Sequence, residues 1–300
     1  HSPRTKITMI VPLIKILRPR QWIKNMFVAV PLFFAMKLTD PEALMTTGAA
    51  IFLFSMVSGC VYILNDILDI EKDRVHPKKS KRPLPSGELS VTAARTFAII
   101  CLPTVLTLGY LIEPTYALIL AIYFTNNIAY SFKVKHIPYL DVLSISTGFM
   151  LRILAGAAAL QVPVSPWLFV CGGLLAMFLG FGKRAHELGA ASREQAKKQR
   201  EVLARYNANT LNIILQALAM VTVVSYVFYT RSEHVMQQFG TDQLAYTVVF
   251  PIIGILRFIH LATTRHESES PTEEMLRDPL FMLTFLTGVG VTTAILYGWL

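Results

Sequence analysis

Asn65, Asp66, Asp69 and Asp73 stand in one short stretch, Tyr62-Ile63-Leu64-Asn65-Asp66-Ile67-Leu68-Asp69-Ile70-Glu71-Lys72-Asp73-Arg74. On a helix, residues three and four apart share a face, so Asp66 with Asp69, and Asn65 with Asp69 and Asp73, project together. Carboxylates stacked in this way repel, and the helix needs a positive charge between them. A hard divalent cation such as Mg2+ takes oxygen ligands, commonly one or two carboxylates plus substrate phosphates. Arg74, Lys78, Lys79, Lys81 and Arg82 follow at once. Pro77, Pro83 and Pro85 hold that stretch extended, so its cations can close over a bound diphosphate. The reading is a Mg2+ site for a phosphorylated substrate, set against the plainer one of a solvated acidic and basic loop.

The elements that must position these groups are apolar. The chain is 53% hydrophobic and 16% charged, with a mean hydropathy of +0.49, where soluble domains run to about half apolar and a quarter charged. A lipid-facing surface accounts for the excess. Nine segments approach the roughly 20 residues that cross a bilayer core: about 22–38, 45–64, 93–112, 115–132, 139–160, 164–181, 209–230, 243–263 and 280–299. Turn-forming breaks such as Thr39-Asp40-Pro41, Glu113-Pro114-Thr115 and Val162-Pro163-Val164-Ser165-Pro166 separate them,. The expectation is one all-α integral membrane domain over residues 1–300, with nine transmembrane helices, an Asp-rich loop at about 65–90 and a second polar loop at about 182–208. No cleavable signal peptide is expected, because the first apolar segment lacks a small-residue cleavage pattern. Cys60, Cys101 and Cys171 fall inside apolar runs and read as packing residues,.

Charge sets the orientation, since cytoplasmic loops keep the Lys/Arg excess. With the N-terminus inside, only Lys37 and Arg231 of the 28 lysines and arginines fall in outer loops, and Arg95, Arg152 and Arg257 lie in or beside helices. The rest are cytoplasmic, with both polar loops, and the C-terminus lies outside. The +9 net charge is then gathered on one face, where it can meet anionic lipid or a phosphorylated substrate, although ordinary topology explains most of it. No nucleic-acid partner is expected, and a homo-oligomer is left open.

Asn65-Asp66-x-x-Asp69-x-x-x-Asp73 after a second helix, with Arg18-Pro19-Arg20-Gln21-Trp22-Ile23-Lys24-Asn25 before the first, resembles the UbiA superfamily of intramembrane prenyltransferases over essentially the whole chain. The resemblance implies a UbiA-like helical bundle with cytoplasmic active-site loops after helices two and six, and a first Asp-rich motif that binds a diphosphate through Mg2+. It also implies a second motif, usually DxxxD, after helix six. Here that stretch reads Gly180-Phe181-Gly182-Lys183-Arg184-Ala185-His186-Glu187-Leu188, with Lys-Arg in place of an acid pair. Together with Asp73-Arg74-x-His76-Pro77-x-Lys79-x-x-Arg82-Pro83, this departure is similar to one branch, the decaprenyl-phosphate phosphoribosyltransferases of arabinan and arabinogalactan synthesis in the bacterial cytoplasmic membrane. That branch implies phosphoribosyl pyrophosphate as donor and a polyprenyl phosphate, decaprenyl phosphate, as acceptor.

On that expectation Asp66, Asp69 and Asp73 hold the metal, with Asn65 as a neutral ligand. Lys24, Arg74, Lys78 and Arg82 face the diphosphate. Lys183 and Arg184, beginning the loop after helix six, take the ribose 5-phosphate, and Glu187 takes a ribose hydroxyl or the metal. Arg152 lies well inside helix five, where a cation costs roughly 2.5–3.5 kcal/mol on insertion scales. It either faces a polar cavity and holds the acceptor phosphate or pairs with an acid such as Asp141. Tyr130 and Lys133, ending helix four, are further cavity groups. The competing readings are prenyl transfer from a prenyl diphosphate to an aromatic or lipid acceptor, and a non-enzymatic transporter or lipid-binding protein.

Overall fold

A computed structural model describes residues 3–75, 79–190, 201–264 and 271–299. The described residues form helices joined by short turns, with no strand among them. They fall into two compact units, residues 1–132 with 151–164, and residues 133–150 with 165–300.

The first unit begins with α1 (Pro3–Ile16), a 3-10 segment (Pro19–Ala29) and the short α2 (Val30–Phe34). The span expected over 22–38 is therefore not one α-helix. Proline explains the change: an α-helix through this stretch would lose the N–H of Pro31 and drive its ring against the carbonyl of Phe27. α3 (Pro41–Leu68) is capped by Asp40, whose Oδ1 accepts from the N–H groups of Glu42 and Ala43 at 3.0 and 3.3 Å, and Pro41 fits its first turn. Its 28 residues reach about 42 Å at 1.5 Å each. That exceeds a hydrocarbon core of about 30 Å, and the last turn carries Asn65 and Asp66. α4 (Ile70–Arg74) follows directly. α5 (Val91–Ile112) starts on a Ser90 cap and stops where Glu113 turns extended before Pro114; α6 (Pro114–Phe132) returns. The core is built on Val28, Phe54, Val57, Tyr116, Leu120 and Leu151.

The chain passes between the units within α7 (Leu140–Ala159). The second unit continues with α8 (Pro166–Ala190), α9 (Ala208–Thr230), α10 (Glu233–Phe239), α11 (Val249–Thr264), α12 (Pro271–Arg277) and α13 (Pro279–Leu296). Val142, Phe178, Leu211, Leu215, Phe258 and Ala262 fill its core. Arg257, within the apolar α11, is matched by Asp278 in two hydrogen bonds of 3.0 and 2.6 Å, and Asp278 also caps α13.

Among the described residues six helices are long and apolar enough to cross a membrane: α3, α5, α7, α9, residues 243–264 and α13. Their outer faces are apolar too. Only 11% of the apolar window in Val91–Ile112 is buried, and Ile99, Ile100, Leu108 and Leu111 stand exposed. α6, expected as a span, does not reach that composition, because Thr125, Asn126, Asn127 and Ser131 dilute it. α8 carries no charged residue from Pro166 to Gly182, and Lys183, Arg184 and Glu187 lie beyond that apolar stretch. Cys60 is buried, and Cys101 and Cys171 are partly so.

Candidate active site

Two acids and three cations converge where α3 ends. Asp66 and Asp73 are 1% and 2% exposed. The helix does not run unbroken through them. Asp69 closes α3 at φ −101°, ψ 9°, while its N–H still reaches Asn65 O at 2.9 Å. The expected continuous face of Asn65, Asp69 and Asp73 is corrected accordingly: like charges at four-residue spacing oppose continuous helix, and the break leaves Asp69 half-buried at the joint. What comes together is Asp66 and Asp73. Arg82 Nη1 donates to Asp66 Oδ1 at 3.1 Å and to Asp73 Oδ2 at 2.6 Å, bridging the pair. Arg18 donates to the same Asp66 Oδ1, and Lys79 Nζ lies 3.6 Å from Asp73 Oδ1. The Arg18 guanidinium covers the Tyr62 ring at 4.9 Å. Its backbone, directly before Pro19, is left-handed at φ 52°, ψ 63°, a conformation that costs a non-glycine residue of order 1–3 kcal/mol.

Of the other expected residues, Asn65 is half-buried next to Asp66 in sequence, and Lys24 is exposed on the 3-10 segment. Arg74 points away and pairs with Glu71 at 2.9 Å on the surface of α4, because its position on a helix surface brings it to a neighbour three residues back. Lys78 lies outside the described residues. Tyr130 is half-buried near the end of α6, and Lys133, in the second unit, is exposed.

Deeper in the first unit, Arg152 is 6% exposed. Its Nε donates to Asn25 Oδ1 at 2.9 Å and its Nη2 to Tyr123 OH at 3.1 Å, and the guanidinium lies 5.2 and 5.0 Å from the Phe54 and Tyr123 ring centres. Asn25 donates in turn to Ser55 Oγ at 2.9 Å, and Ser58 Oγ to Tyr123 OH at 3.2 Å. Close backbone approach makes the network possible: a Cβ on Gly156 would stand 1.9 Å from Val28 O.

The acid once considered for Arg152 belongs to another cluster, in the second unit. Asp141 and Arg184 are both wholly buried, with Arg184 Nε 2.7 Å from Asp141 Oδ2. Arg184 Nη1 also donates to Glu187 Oε2. Tyr206 OH donates to Asp141 Oδ1 at 2.6 Å and accepts from the Tyr139 N–H at 2.7 Å. Burial, and then the bond to Asp141, push the Tyr206 phenol well above its ordinary pKa, so it stays a neutral donor. Lys183 and Arg184 do not begin a loop. α8 runs on to Ala190, since Lys183-Arg184-Ala185 and Glu187-Leu188 are good helix formers. Of the rest of the expected loop, 191–200 lies outside the described residues and Glu201–Arg205 forms a 3-10 turn.

Sequence reasoning named neither Arg18, Asn25, Tyr123 nor Tyr206 as site residues. Arg18 and Asn25 are the first and last residues of the Arg-Pro-Arg-Gln-Trp-Ile-Lys-Asn run and were visible there. Tyr123 and Tyr206 carry no local signal beyond the rule that a buried tyrosine hydroxyl finds a partner.

Among the described residues, those of the first cluster fit a divalent cation. Oδ2 of Asp66 is buried and makes no hydrogen bond among the described residues, and a buried carboxylate oxygen left so is costly. No three His, Cys, Asp or Glu side chains converge on one point among the described residues. The expected Asp66, Asp69 and Asp73 triad is thus not assembled, but two carboxylates suffice for Mg2+ that is shared with phosphates.

Residues 25–188 match the UbiA prenyltransferase family. The chain belongs to that family, and with six membrane-length apolar helices it is a multi-pass membrane enzyme. A Mycolicibacterium smegmatis protein named decaprenyl-phosphate phosphoribosyltransferase is 30% identical over 295 residues, covering 95% of this chain and 92% of that one. One of the same name from Corynebacterium glutamicum is 30% identical, covering 92% and 84%. The solved structure of a UbiA homolog from Archaeoglobus fulgidus, bound to GPP and Mg2+, superposes with a TM-score of 0.69 at 17% identity, covering 96% of this chain and 98% of that one.

Proposed function

We propose that this chain transfers 5-phosphoribose from phosphoribosyl pyrophosphate to a polyprenyl phosphate such as decaprenyl phosphate, releasing diphosphate, in a bacterial cytoplasmic membrane as a step towards cell-wall arabinan. The observation that carries the reading is the pairing of Asp66 and Asp73 with Arg18, Arg82 and Lys79 at the end of a membrane-length helix. It supplies oxygen ligands and phosphate-binding cations in one place. The full-length similarity to two decaprenyl-phosphate phosphoribosyltransferases supports the choice of donor and acceptor.

In this mechanism the C1–O bond of the ribose breaks with its electron pair leaving on the diphosphate, and an oxygen of the lipid phosphate bonds to C1. Asp66 and Asp73 would hold Mg2+, with the neighbouring Asn65 and Asp69 as further oxygen donors on that helix end. Bound there, the metal would supply charge neutralisation for the leaving diphosphate. Arg82, Arg18, Lys79 and Lys24 bind the diphosphate oxygens, stabilisation that grows as charge develops. No general base is required, because the lipid phosphate is already anionic. Lys183, half-exposed on α8, takes the ribose 5-phosphate. Arg152 positions the acceptor head through its network with Asn25 and Tyr123.

Purified protein incubated with labelled phosphoribosyl pyrophosphate, decaprenyl phosphate and Mg2+ should form a labelled lipid and free diphosphate, and EDTA should stop it. A parallel reaction with a prenyl diphosphate and an aromatic acceptor should give nothing. Product only in the second reaction would replace this proposal with prenyl transfer. For orientation, a reporter within 79–89 should face the cytoplasm and one at the C-terminus the outside, and finding both in one compartment would overturn the odd number of spans proposed between them.

A further inference from the structure

The first cluster is filled in a lopsided way. Asp66 Oδ1 accepts from both Arg18 and Arg82, while Oδ2 of the same carboxylate, buried, accepts from nothing described. One guanidinium nitrogen, Arg82 Nη1, spans the space between two acids. The two acids are almost wholly buried, but the arginine side chains are 21% and 30% exposed, so the cations sit at the open side. Arg18 is held there by a strained backbone, and Arg82 lies between the short 3-10 turn Lys79–Lys81 and Pro83, off any long helix. Acids fixed inside and cations tethered at the edge make an exchangeable arrangement.

We propose that Arg82, assisted by Arg18, is a tethered counter-ion that occupies the Asp66–Asp73 pair between turnovers and is handed to the incoming anion when a divalent cation takes the carboxylates. The inference rests on the reading of this cluster as the metal site. It makes metal and anion mutually dependent. Metal alone must displace a guanidinium that then has no acceptor, and anion alone must draw that guanidinium from buried acids that are then uncompensated. When both arrive, each charge finds a partner, so the two bind with positive coupling.

The test is metal binding by the full-length protein in lipid nanodiscs, read by the electron paramagnetic resonance signal of Mn2+. It is run with and without methylenediphosphonate, with metal complexed in solution subtracted. In the unaltered protein the anion should tighten Mn2+ binding by about tenfold or more, within the usual range of coupled sites. Arg82→Gln should bind Mn2+ alone about tenfold more tightly and lose most of the enhancement by anion. Arg74→Gln removes the same charge from the surface of α4 and should leave the enhancement intact. Weaker or unchanged Mn2+ binding by Arg82→Gln, or full enhancement in that variant, overturns the exchange. Loss of Mn2+ affinity in Asp66→Asn, measured alongside, upholds the metal site whichever way the exchange falls. Unaltered Mn2+ binding in Asp66→Asn would instead sink the metal reading and the exchange with it.

Discussion

Two acid–arginine clusters, one in each unit, use the same chemical pair to opposite ends. Asp141 and Arg184 are fully buried, both oxygens of Asp141 are engaged, and a tyrosine hydroxyl and a backbone N–H extend the chain of bonds. The Asp66–Asp73 cluster has cations 21–45% exposed and a carboxylate oxygen without a hydrogen-bond partner among the described residues. In the closed cluster the arginine is part of the fold. In the open one, on our proposal, it guards a place for a metal and an anion. Exposure of the cations, more than residue type, is what differs between the two clusters.

The comparison breaks most decisively at Arg184. Arg184→Gln leaves Asp141 buried and uncompensated, a loss of about 3–5 kcal/mol when one partner of a buried pair is removed. Thermal unfolding in detergent should show a large fall, partly recovered by Asp141→Asn in the same chain. A stable Arg184→Gln protein that has lost only donor affinity would make Arg184 a ligand. Next is Asp66→Asn, for which turnover should drop at least about a hundredfold, as expected for losing an electrostatic stabiliser, with the unfolding temperature near normal. A collapse in stability would mean that the open cluster is structural as well. Lys183→Ala should weaken phosphoribosyl pyrophosphate binding by about 1.5–3 kcal/mol, the range for a hydrogen bond to a charged group, and diphosphate binding far less. Equal losses for both ligands in a calorimetric titration would remove the 5-phosphate assignment. Smallest is Arg74→Gln, worth under about 1 kcal/mol for an exposed ion pair and without effect on the rate constant. A tenfold drop in turnover would restore Arg74 to the substrate site.

Much of this was legible in the chain. Asp66 and Asp73 stood out because like charges at helical spacing demand a counter-charge, and Thr39-Asp40-Pro41 and Glu113-Pro114-Thr115 marked breaks between helices. The helical break at Asp69 was not, since the same spacing that reveals the acids also suggests an unbroken helix. Pro31 could have warned that residues 22–38 do not form one α-helix. Arg184 was misplaced for a different reason: the chain stays helical to Ala190, and its two acids lie three and forty-three residues away. Local periodicity finds the first of these partners and is blind to the second. Arg152 was recognised as costly in an apolar helix, but its partners Asn25 and Tyr123 come from elements far away in sequence.

Gly156 bears on how the Arg152 network keeps its dimensions. An added methyl group there would meet the Val28 carbonyl at 1.9 Å, against the 3.0 Å below which such contacts do not occur. The missing atom acts as a shim of zero thickness between α7 and the segment that carries Lys24 and Asn25. Substituting alanine would force those two elements apart by about an ångström, enough to open the 2.9 Å bond from Arg152 to Asn25 past hydrogen-bonding range. Alignment of the buried cation is therefore set by a tolerance between backbones, and a side chain that touches no ligand would detune it as surely as the loss of the arginine.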